Sequence, residues 1–304
     1  MGLQALGRIA SSMVITPQAP APAAPSDGRP LAAGLFAGSR SLRVRGERVS
    51  FVACCLAAPL TLALVGIFFP VVSLAKLLLL AAGALVFVTA ARGRLLGSSV
   101  RVDERQLPEI AALVREAAAR LGIEAPQIFV RDDPFVPIVA VGTEEPYALV
   151  ISSQYLEHLR ERELAFLIAR ELGHIAAGHT RLTSLLSISG RENPAVAIVF
   201  GAWLRRTEYT ADRIGLVCAP DLEAALGAVS ITTFHAVGRR IDLALLAEQG
   251  RDLRADLTLR SGEWVSGMPF ATGRIAALRS FADAPLAAEW ERALALGAAP
   301  TAAA

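Results

Sequence analysis

From Ile168 to His179 the chain reads IARELGHIAAGH. The spacing of its alanines and leucines predicts an α-helix, on which residues four apart lie on one face. Arg170 and His174 therefore share a face, and Glu171 lies beside them. An ordinary amphipathic helix can also carry such a run by chance, so the flanking sequence must decide between the two interpretations.

The stretch differs from a metal-binding motif at one position. In the pattern H-E-x-x-H, two histidines one helical turn apart hold zinc, and the glutamate activates a metal-bound water. Glu171 and His174 are in place, but Arg170 stands where the first histidine is expected. A guanidinium stays protonated at physiological pH and has no lone pair for a metal. The motif is therefore degenerate, and one zinc ligand is missing.

A second pair of candidate residues follows downstream. In the predicted helix RRTEYTADRIG, from Arg205 to Gly215, Glu208 and Asp212 lie four residues apart on one face. This is the layout of a third ligand carboxylate with a supporting acid one turn later. The alternative is a solvated acidic stripe interrupted by arginines.

From about Val100 to Leu278 the chain resembles the HtpX and CAAX-prenyl-protease family of membrane-bound zinc metallopeptidases, which are gluzincins. The resemblance rests on short matches that follow one another in the family's order: Leu107-Pro108, Leu121-Gly122, Ala125-Pro126, Glu163-Leu164 and the segment from Gly273 to Leu278. Several loosely spaced matches in the right order are more specific than any single one. The resemblance implies a zincin-like peptidase domain.

The same resemblance implies roles for individual residues. Glu171 takes the place of the general base, and His174 and Glu208 take the places of two zinc ligands. Asp212 and Arg274 lie outside the ligand set, where the aspartate would orient a ligating histidine.

Three departures from the family pattern indicate lost catalysis. Arg170 replaces the first ligand, and Pro137-Ile138-Val139-Ala140 stands where the family has Asn-Ala-Phe-Ala. Met268-Pro269 stands where a histidine commonly precedes the proline, so a candidate transition-state donor is missing. We therefore expect a pseudopeptidase that binds a protein partner and holds no cofactor. The alternative is an active zinc-dependent membrane endopeptidase with an unconventional metal site.

Replacement ligands are few. His179 lies five residues after the ligand histidine, roughly 140° around a continuous helix, so it is not expected on the metal-facing side. Asp212 could move in as a third ligand, but only beside the positive charge of Arg170. We expect the Arg170 guanidinium to fill the place of the missing cation instead. It would pair with Glu208, with Glu171 or Asp212 as further acceptors.

Composition predicts a membrane segment. With 54% hydrophobic residues and a mean hydropathy of +0.48, the chain is more apolar than an ordinary soluble domain. Val49 to Phe69 carries no charge, and a second apolar run after Pro70 extends to Ala91, interrupted only by Lys76. Each run is near the roughly 20 residues that cross a bilayer. We expect a two-helix transmembrane hairpin over residues 49–92; the alternative is a buried or re-entrant hairpin.

Arginines flank both ends of this hairpin: Arg40, Arg43, Arg45 and Arg48 before it, and Arg92, Arg94 and Arg101 after it. By the positive-inside rule, both ends and the peptidase-like domain face the cytoplasm. This predicts an integral protein of a bacterial inner membrane. Its expected partners are the membrane and an unknown membrane or cytoplasmic protein. A net charge of +2 gives no reason to expect nucleic-acid binding.

The remaining features carry no predicted chemistry. His158 is expected to face solvent, and His235 to be a packed or partly exposed helix residue. The three cysteines suit a reducing compartment without disulfides. The apolar run from Ala195 to Leu204 is too short to cross a bilayer and predicts a core or interfacial helix.

The predicted organisation has four parts: an N-terminal segment with a Pro/Ala-rich linker (1–48), the transmembrane hairpin (49–92), a cytoplasmic metallopeptidase-like domain (93–290) and an Ala-rich tail (291–304). The predicted fold class is mainly α with a small β-sheet, an α+β zincin-like domain preceded by the hairpin. Its strands are expected at Gln127 to Arg131, Ile138 to Val141 and Ala148 to Ser152.

Overall fold

The computed structural model describes residues 40–68, 79, 97–186, 194–256 and 261–295. As predicted, this part of the chain is mostly helical with one small sheet. The helices are α1 (Glu47–Phe68), α2 (Pro108–Leu121), α3 (Ser153–Leu156), α4 (Glu161–Ala176), α5 (His179–Leu186), α6 (Pro194–Cys218), α7 (Leu222–Phe234), α8 (Leu243–Ala255), α9 (Ala271–Ala282) and α10 (Pro285–Ala295). Short 3₁₀ turns span Arg40–Leu42, His235–Arg240 and Gly262–Val265.

The sheet has four strands, β1 (Val100–Val102), β2 (Gln127–Arg131), β3 (Ile138–Val141) and β4 (Ala148–Ser152), in the order β1-β2-β4-β3. β2 and β4 pair in parallel, and the outer strands pair antiparallel to them. The three predicted strands are confirmed with their bounds, whereas the short strand β1 was missed. Because β3 lies at the edge, one side of its backbone is free to face the motif helix.

The motif helix α4 is the centre of the core. It begins where the Arg160 N–H donates to the Glu163 carboxylate at 2.7 Å, and it packs against α2, α6, α7 and β3. It ends at Ala176, because Gly178 takes a left-handed conformation (φ 76°) that turns the chain into α5. The helix is buried on all sides, although it carries a guanidinium, a carboxylate and an imidazole. Those groups must therefore find partners inside the domain.

Two glycines bring α4 and α6 unusually close together. A Cβ atom on Gly173 would lie 2.9 Å from Cγ2 of Ile214, and one on Gly215 would lie 3.1 Å from Cβ of Arg170. Real Cβ atoms rarely approach so closely, so the crossing depends on the absence of both side chains. The close crossing positions the candidate site, because it places Arg170 against the face of α6 that carries Glu208 and Asp212.

The predicted transmembrane hairpin over residues 49–92 is wrong: within the described residues, no helix is long and apolar enough to cross a membrane. Helix α1 begins at Glu47, whose carboxylate is buried in the domain, and its first turns pack on α6. The Phe51 and Trp203 rings lie 5.3 Å apart at this contact. A hydropathy count cannot see that Phe51 and Cys54 on one side of this run are used for packing, whereas other apolar positions of α1 are exposed. Most of the predicted second helix, at 69–78 and 80–96, lies outside the described residues.

The third apolar run is not a separate element. It forms the first part of α6, which continues without interruption to Cys218 and carries the downstream acidic pair. Ala197 and Trp203 in this run are buried, as expected of a core helix, whereas Ile198 is exposed. The predicted N-terminal linker up to residue 39 and the end of the tail from 296 lie outside the described residues.

Candidate functional site

The guanidinium of Arg170 is surrounded by three carboxylates from the two crossing helices. Its Nε donates to Oδ1 of Asp212 at 2.9 Å, its Nη1 donates to Glu171, and its Nη2 donates to Glu208. Only 8% of the Arg170 side chain is exposed. The geometry is the one that charge accounting predicts, with a fixed cation among acids that would otherwise repel one another.

The family resemblance implies that Asp212 orients a ligating histidine, but in the structure its carboxylate accepts from arginines instead. It lies between two guanidinium groups, because Arg274 also donates to both of its oxygens, from Nε at 2.9 Å and from Nη2 at 2.7 Å. Burial alone would raise the pKa of Asp212, but Arg274 and Arg170 outweigh burial and hold that pKa below its ordinary value. Asp212 is therefore an ionised link between α4, α6 and α9.

Glu171, in the place of the general base, has both oxygens occupied. Oε2 accepts the Ala140 N–H of β3 at 3.0 Å, and Oε1 accepts from Arg170. Burial raises the pKa of Glu171 against the opposing effects of Arg170 and the Ala140 amide. A general base must reach the proton it removes. Here the carboxylate is directed at the protein instead.

His174 lies beside Glu208, with Nε2 3.6 Å from Oε1 of the carboxylate. Burial first, and then the charge of Arg170, lowers the pKa of His174 well below its usual value, so the ring is neutral near pH 7. Behind it, Nδ1 of His174 is 3.3 Å from Nδ1 of His179. His174 and Glu208 are thus brought together as the sequence predicts, with Arg170 rather than a third ligand beside them.

The residues of this site do not fit a three-ligand zinc centre. Within the described part of the chain, no group of at least three His, Cys, Asp or Glu side chains is arranged to hold a metal ion. His174 and Glu208 supply two donors, whereas catalytic zinc needs three and an open position. Glu171 and Asp212 are both bonded to Arg170, which carries the charge that a metal would bring.

His179 is close to the site, but for a reason that the helical-wheel argument missed. The helix ends before residue 179, so this histidine is placed by the turn at Gly178 and not by helical rotation. It lies behind His174, away from Glu208, and its Nε2 is 3.0 Å from the Glu47 carboxylate. Burial first lowers the pKa of His179, although Glu47 opposes the shift.

Glu47 is the residue that sequence reasoning overlooked. It comes from α1, is 2% exposed, and accepts hydrogen bonds from Thr210 and Arg43 as well as contacting His179. Burial would raise the pKa of Glu47, but its contacts, of which that with His179 is the largest, leave it below the ordinary value. The available signal was its position as the single acid among the arginines that open the apolar run.

A cavity of about 530 Å³ opens over these groups. Its lining includes the positions at which the sequence departs from the family, Pro137, Ile138 and Met268. At the edge strand, the Gly142 N–H donates to the Ser184 hydroxyl at 2.9 Å, and the Ala140 N–H is already held by the motif glutamate. These two backbone N–H groups are therefore already paired with side chains of the chain itself. A peptide that bound as an additional strand at this edge could not use them as donors.

The other two histidines lie apart from the site. His158 is exposed, as predicted, and its carbonyl accepts from Arg239. His235 is exposed at the end of α7, with φ 53° and ψ −133°, and its Nε2 is 3.2 Å from the Tyr155 hydroxyl.

Residues 104–200 match the sequence model of Peptidase family M48. This segment includes the motif helix α4, but it ends before Glu208 and Asp212. The match and the relatives below confirm the coarse sequence prediction, a region homologous to HtpX-like metallopeptidases. No solved structure matches the chain.

Two curated relatives give the extent of the similarity. The chain is 33% identical over 140 residues to "Plastoglobule-localized metallopeptidase 48, chloroplastic" of Arabidopsis thaliana. The aligned segment covers 41% of this chain and 40% of the relative. It is 28% identical over 172 residues to "Protease HtpX homolog" of Polynucleobacter necessarius subsp. necessarius (strain STIR1). This aligned segment covers 45% of the chain and 60% of the relative. The chain therefore spans less than two thirds of the length of either relative.

Proposed function

We propose that the chain is an HtpX-like M48 pseudopeptidase, in which the Arg170 guanidinium replaces the catalytic zinc and the cleft binds protein without cleaving it. The observation that carries the proposal is the contact of Arg170 with Glu171, Glu208 and Asp212 at once. A buried guanidinium can pair with the same carboxylates that a zinc ion would, and it remains charged at every accessible pH.

Electrostatics opposes adding zinc to this arrangement. A divalent ion between His174 and Glu208 would lie beside the positive charge of Arg170, in a region where that side chain is 8% exposed. Repulsion between charges is weakly screened in such a place. Zinc would therefore have to displace the guanidinium and break three charge-assisted hydrogen bonds.

The rest of the cleft supports a binding role. Glu171 lines the cleft, but its two oxygens accept from the Ala140 amide and from Arg170, so neither is free to take a proton without losing a partner. Met268 lines the cavity with a thioether, which cannot donate a hydrogen bond to a transition-state oxyanion. What remains is a partly apolar cleft of a size that suits side chains of a protein partner.

Zinc content together with proteolysis tests the proposal. Protein purified without chelators should contain far less than one zinc per chain and leave an unfolded test protein intact, as should Glu171→Gln. The alternative is an active zinc endopeptidase with an unconventional metal site. Stoichiometric zinc, with chelator-sensitive cleavage that Glu171→Gln abolishes, would establish that alternative and refute the pseudopeptidase.

We also propose that helix α1 attaches the protein to a lipid surface without crossing it. Val49, Val52, Leu56, Leu60 and Leu64 are more than half exposed and recur at helical spacing on the side away from α6. So large an apolar stripe marks an interaction surface, and the resemblance to membrane-bound peptidases supports a lipid one. Flotation with anionic phospholipid vesicles should recover the wild type, but not a Leu56→Glu, Leu60→Glu variant. Equal flotation of both would exclude this surface.

A further inference from the structure

The hydroxyl of Thr180 is a buried polar group without a partner. Thr180 lies in the first turn of α5 and is 1% exposed, and within the described residues its Oγ1 makes no hydrogen bond. Two other helical threonines show the usual arrangement, because Thr183 and Thr207 each donate to a carbonyl of the preceding turn. A buried hydroxyl that gives up water without a replacement is unfavourable. A ligand that reaches Thr180 would remove this cost.

Thr180 lines the cleft together with two further hydroxyls on the same face of α5. Thr180, Thr183 and Ser184 follow one another at helical spacing, and all three border the cavity of about 530 Å³. Side chains three or four residues apart lie about 5–6 Å from each other on a helix. Helix α5 therefore presents a row of hydroxyls to the cleft, on a different element from the charged groups of α4 and α6.

The three hydroxyls differ in the hydrogen bonds that they can still make. Ser184 accepts from the Gly142 N–H at 2.9 Å and keeps its own hydrogen to donate. Thr183 donates to the main-chain carbonyl of Thr180 at 3.2 Å, so its oxygen can only accept. The Thr180 hydroxyl can do both. A ligand that fits this row must therefore carry an acceptor and a donor side by side.

The surroundings of the row narrow the class of ligand further. A hydroxyl carries no charge, so an ionised group placed here would lose its water without gaining an ionic partner. Val141, Leu186 and Ala197 line the same cavity and can pack against hydrocarbon. The ligand group should therefore be neutral and lie at the end of a short apolar stem.

We propose that Thr180, Thr183 and Ser184 form a subsite for a primary carboxamide, the side chain of a glutamine or asparagine of the protein partner. Its oxygen accepts from Ser184, and its amino group donates to Thr180 or Thr183. Two hydrogen bonds of about 2.9 Å on either side of one carboxamide bridge a gap of about 5–6 Å. This inference rests on the proposed function, because it names a side chain of the protein that the cleft binds.

Four capped amino acids test the class of ligand: the N-acetyl N-methylamides of glutamine, asparagine, glutamate and methionine. All four carry the same backbone amides. Glutamate has the shape of glutamine with a charge, and methionine has a stem of similar length without the carboxamide. Each compound is titrated at neutral pH into the full chain, whose threonine methyl groups are labelled for NMR. The methyl signal that is missing from Thr180→Val is the signal of Thr180.

We expect glutamine or asparagine to shift the Thr180 methyl signal, with an affinity about tenfold higher than those of methionine and glutamate. The tighter of the two carboxamides gives the length of the stem. If neither carboxamide shifts this signal, or if methionine or glutamate binds as tightly as the better carboxamide, the inference is wrong.

Thr180→Val separates a binding role from a structural one. Valine keeps the shape of threonine without the hydroxyl, so the free protein loses no hydrogen bond. The variant should therefore unfold at the same or a higher denaturant concentration than the wild type. The better carboxamide compound, followed at the remaining threonine signals, should bind it about tenfold more weakly.

The matched control is Thr207→Val. Thr207 is 0% exposed and does not line the cavity, and its hydroxyl donates to the Leu204 carbonyl at 2.7 Å. This variant should unfold at a lower denaturant concentration and bind the compound as the wild type does. If Thr180→Val loses as much stability as Thr207→Val, or binds the compound unchanged, the inference is wrong. These outcomes refute the subsite alone, whereas stoichiometric zinc with chelator-sensitive cleavage refutes the proposed function.

Discussion

Arg170 and Asp212 are joined across the crossing of α4 and α6 by a hydrogen bond of 2.9 Å from Nε to Oδ1. The same aspartate is also bonded to Arg274 on α9. One carboxylate therefore connects three helices through two guanidinium groups that are each under 10% exposed. Such a buried network is stable only when each member keeps its partners.

Arg170→Ala should therefore destabilise the domain strongly. Removing one partner of a buried ion pair typically costs about 3–5 kcal/mol, because the remaining charges lose their compensation. Denaturant unfolding followed by circular dichroism measures the loss. Combining Arg170→Ala with Glu208→Gln should recover part of it, since the uncompensated charge is removed.

The matched control is Arg115→Ala, which breaks an exposed pair with Glu104. An exposed pair contributes about 0–1 kcal/mol, so this variant should unfold almost as the wild type does. Equal effects of the two arginine substitutions would mean that Arg170 does not act as a substitute for the cation.

Arg170→His should restore zinc binding more readily than peptidase activity. The substitution supplies the missing imidazole one turn before His174 and removes the repelling charge. Activity should stay low, because Met268 and Pro137 still line the cleft. Elemental analysis after dialysis against zinc should give about one ion per chain, and Arg170→Gln, which adds no imidazole, serves as the control. Equal zinc in both variants would contradict the assignment of this position.

The sequence could predict those parts of the site that lie within one element or follow from charge. Spacing placed Glu171 and His174 together, and compensation of charge predicted that Arg170 would meet Glu208. Nothing local indicated Glu47, because its contact with His179 joins residues 132 positions apart. Contacts of that range depend on how helices pack, which a single sequence does not contain.

The transmembrane prediction failed for a related reason. Hydropathy measures how apolar a segment is, but it does not tell whether the segment contacts lipid or the rest of the protein, because tertiary packing decides that. Phe51 and Cys54 look like lipid-facing residues in the sequence, yet Phe51 contacts Trp203 and Cys54 is 5% exposed. The strands were easier to predict because Gly and Pro mark their ends.

Stability should fall as the pH drops below about 6.5, the ordinary value for histidine. The pKa values of His174 and His179 are lowered in the folded chain, so below pH 6.5 the unfolded chain binds protons that the folded chain does not. Each such histidine costs up to about 1.4 kcal/mol per pH unit. Unfolding midpoints at pH 7.5 and 5.5 should differ less in His179→Phe than in the wild type. An unchanged difference would contradict the burial of His179 as a neutral ring.

The crossing of the two helices should be sensitive to one methyl group. Gly173→Ala would place a Cβ atom 2.9 Å from Ile214, and neither helix backbone can move away without stretching the contacts of Arg170. We expect a loss of about 1–3 kcal/mol from overpacking. Gly97→Ala is the control, since nothing lies within 4 Å of its added atom. A Gly173→Ala variant as stable as the control would mean that the crossing can open freely.

The substitution His235→Gly should slightly stabilise the folded protein. With φ 53° and ψ −133°, its backbone lies in a region that only glycine occupies easily, which costs about 1–3 kcal/mol. His235→Gly relieves this strain but loses the contact with the Tyr155 hydroxyl at 3.2 Å, worth about 1 kcal/mol. The net effect should be a small gain in the free energy of unfolding. His235→Ala loses the same contact and keeps the strain, so it should be less stable than the wild type. If alanine and glycine at this position give equal stability, the backbone of residue 235 is not strained.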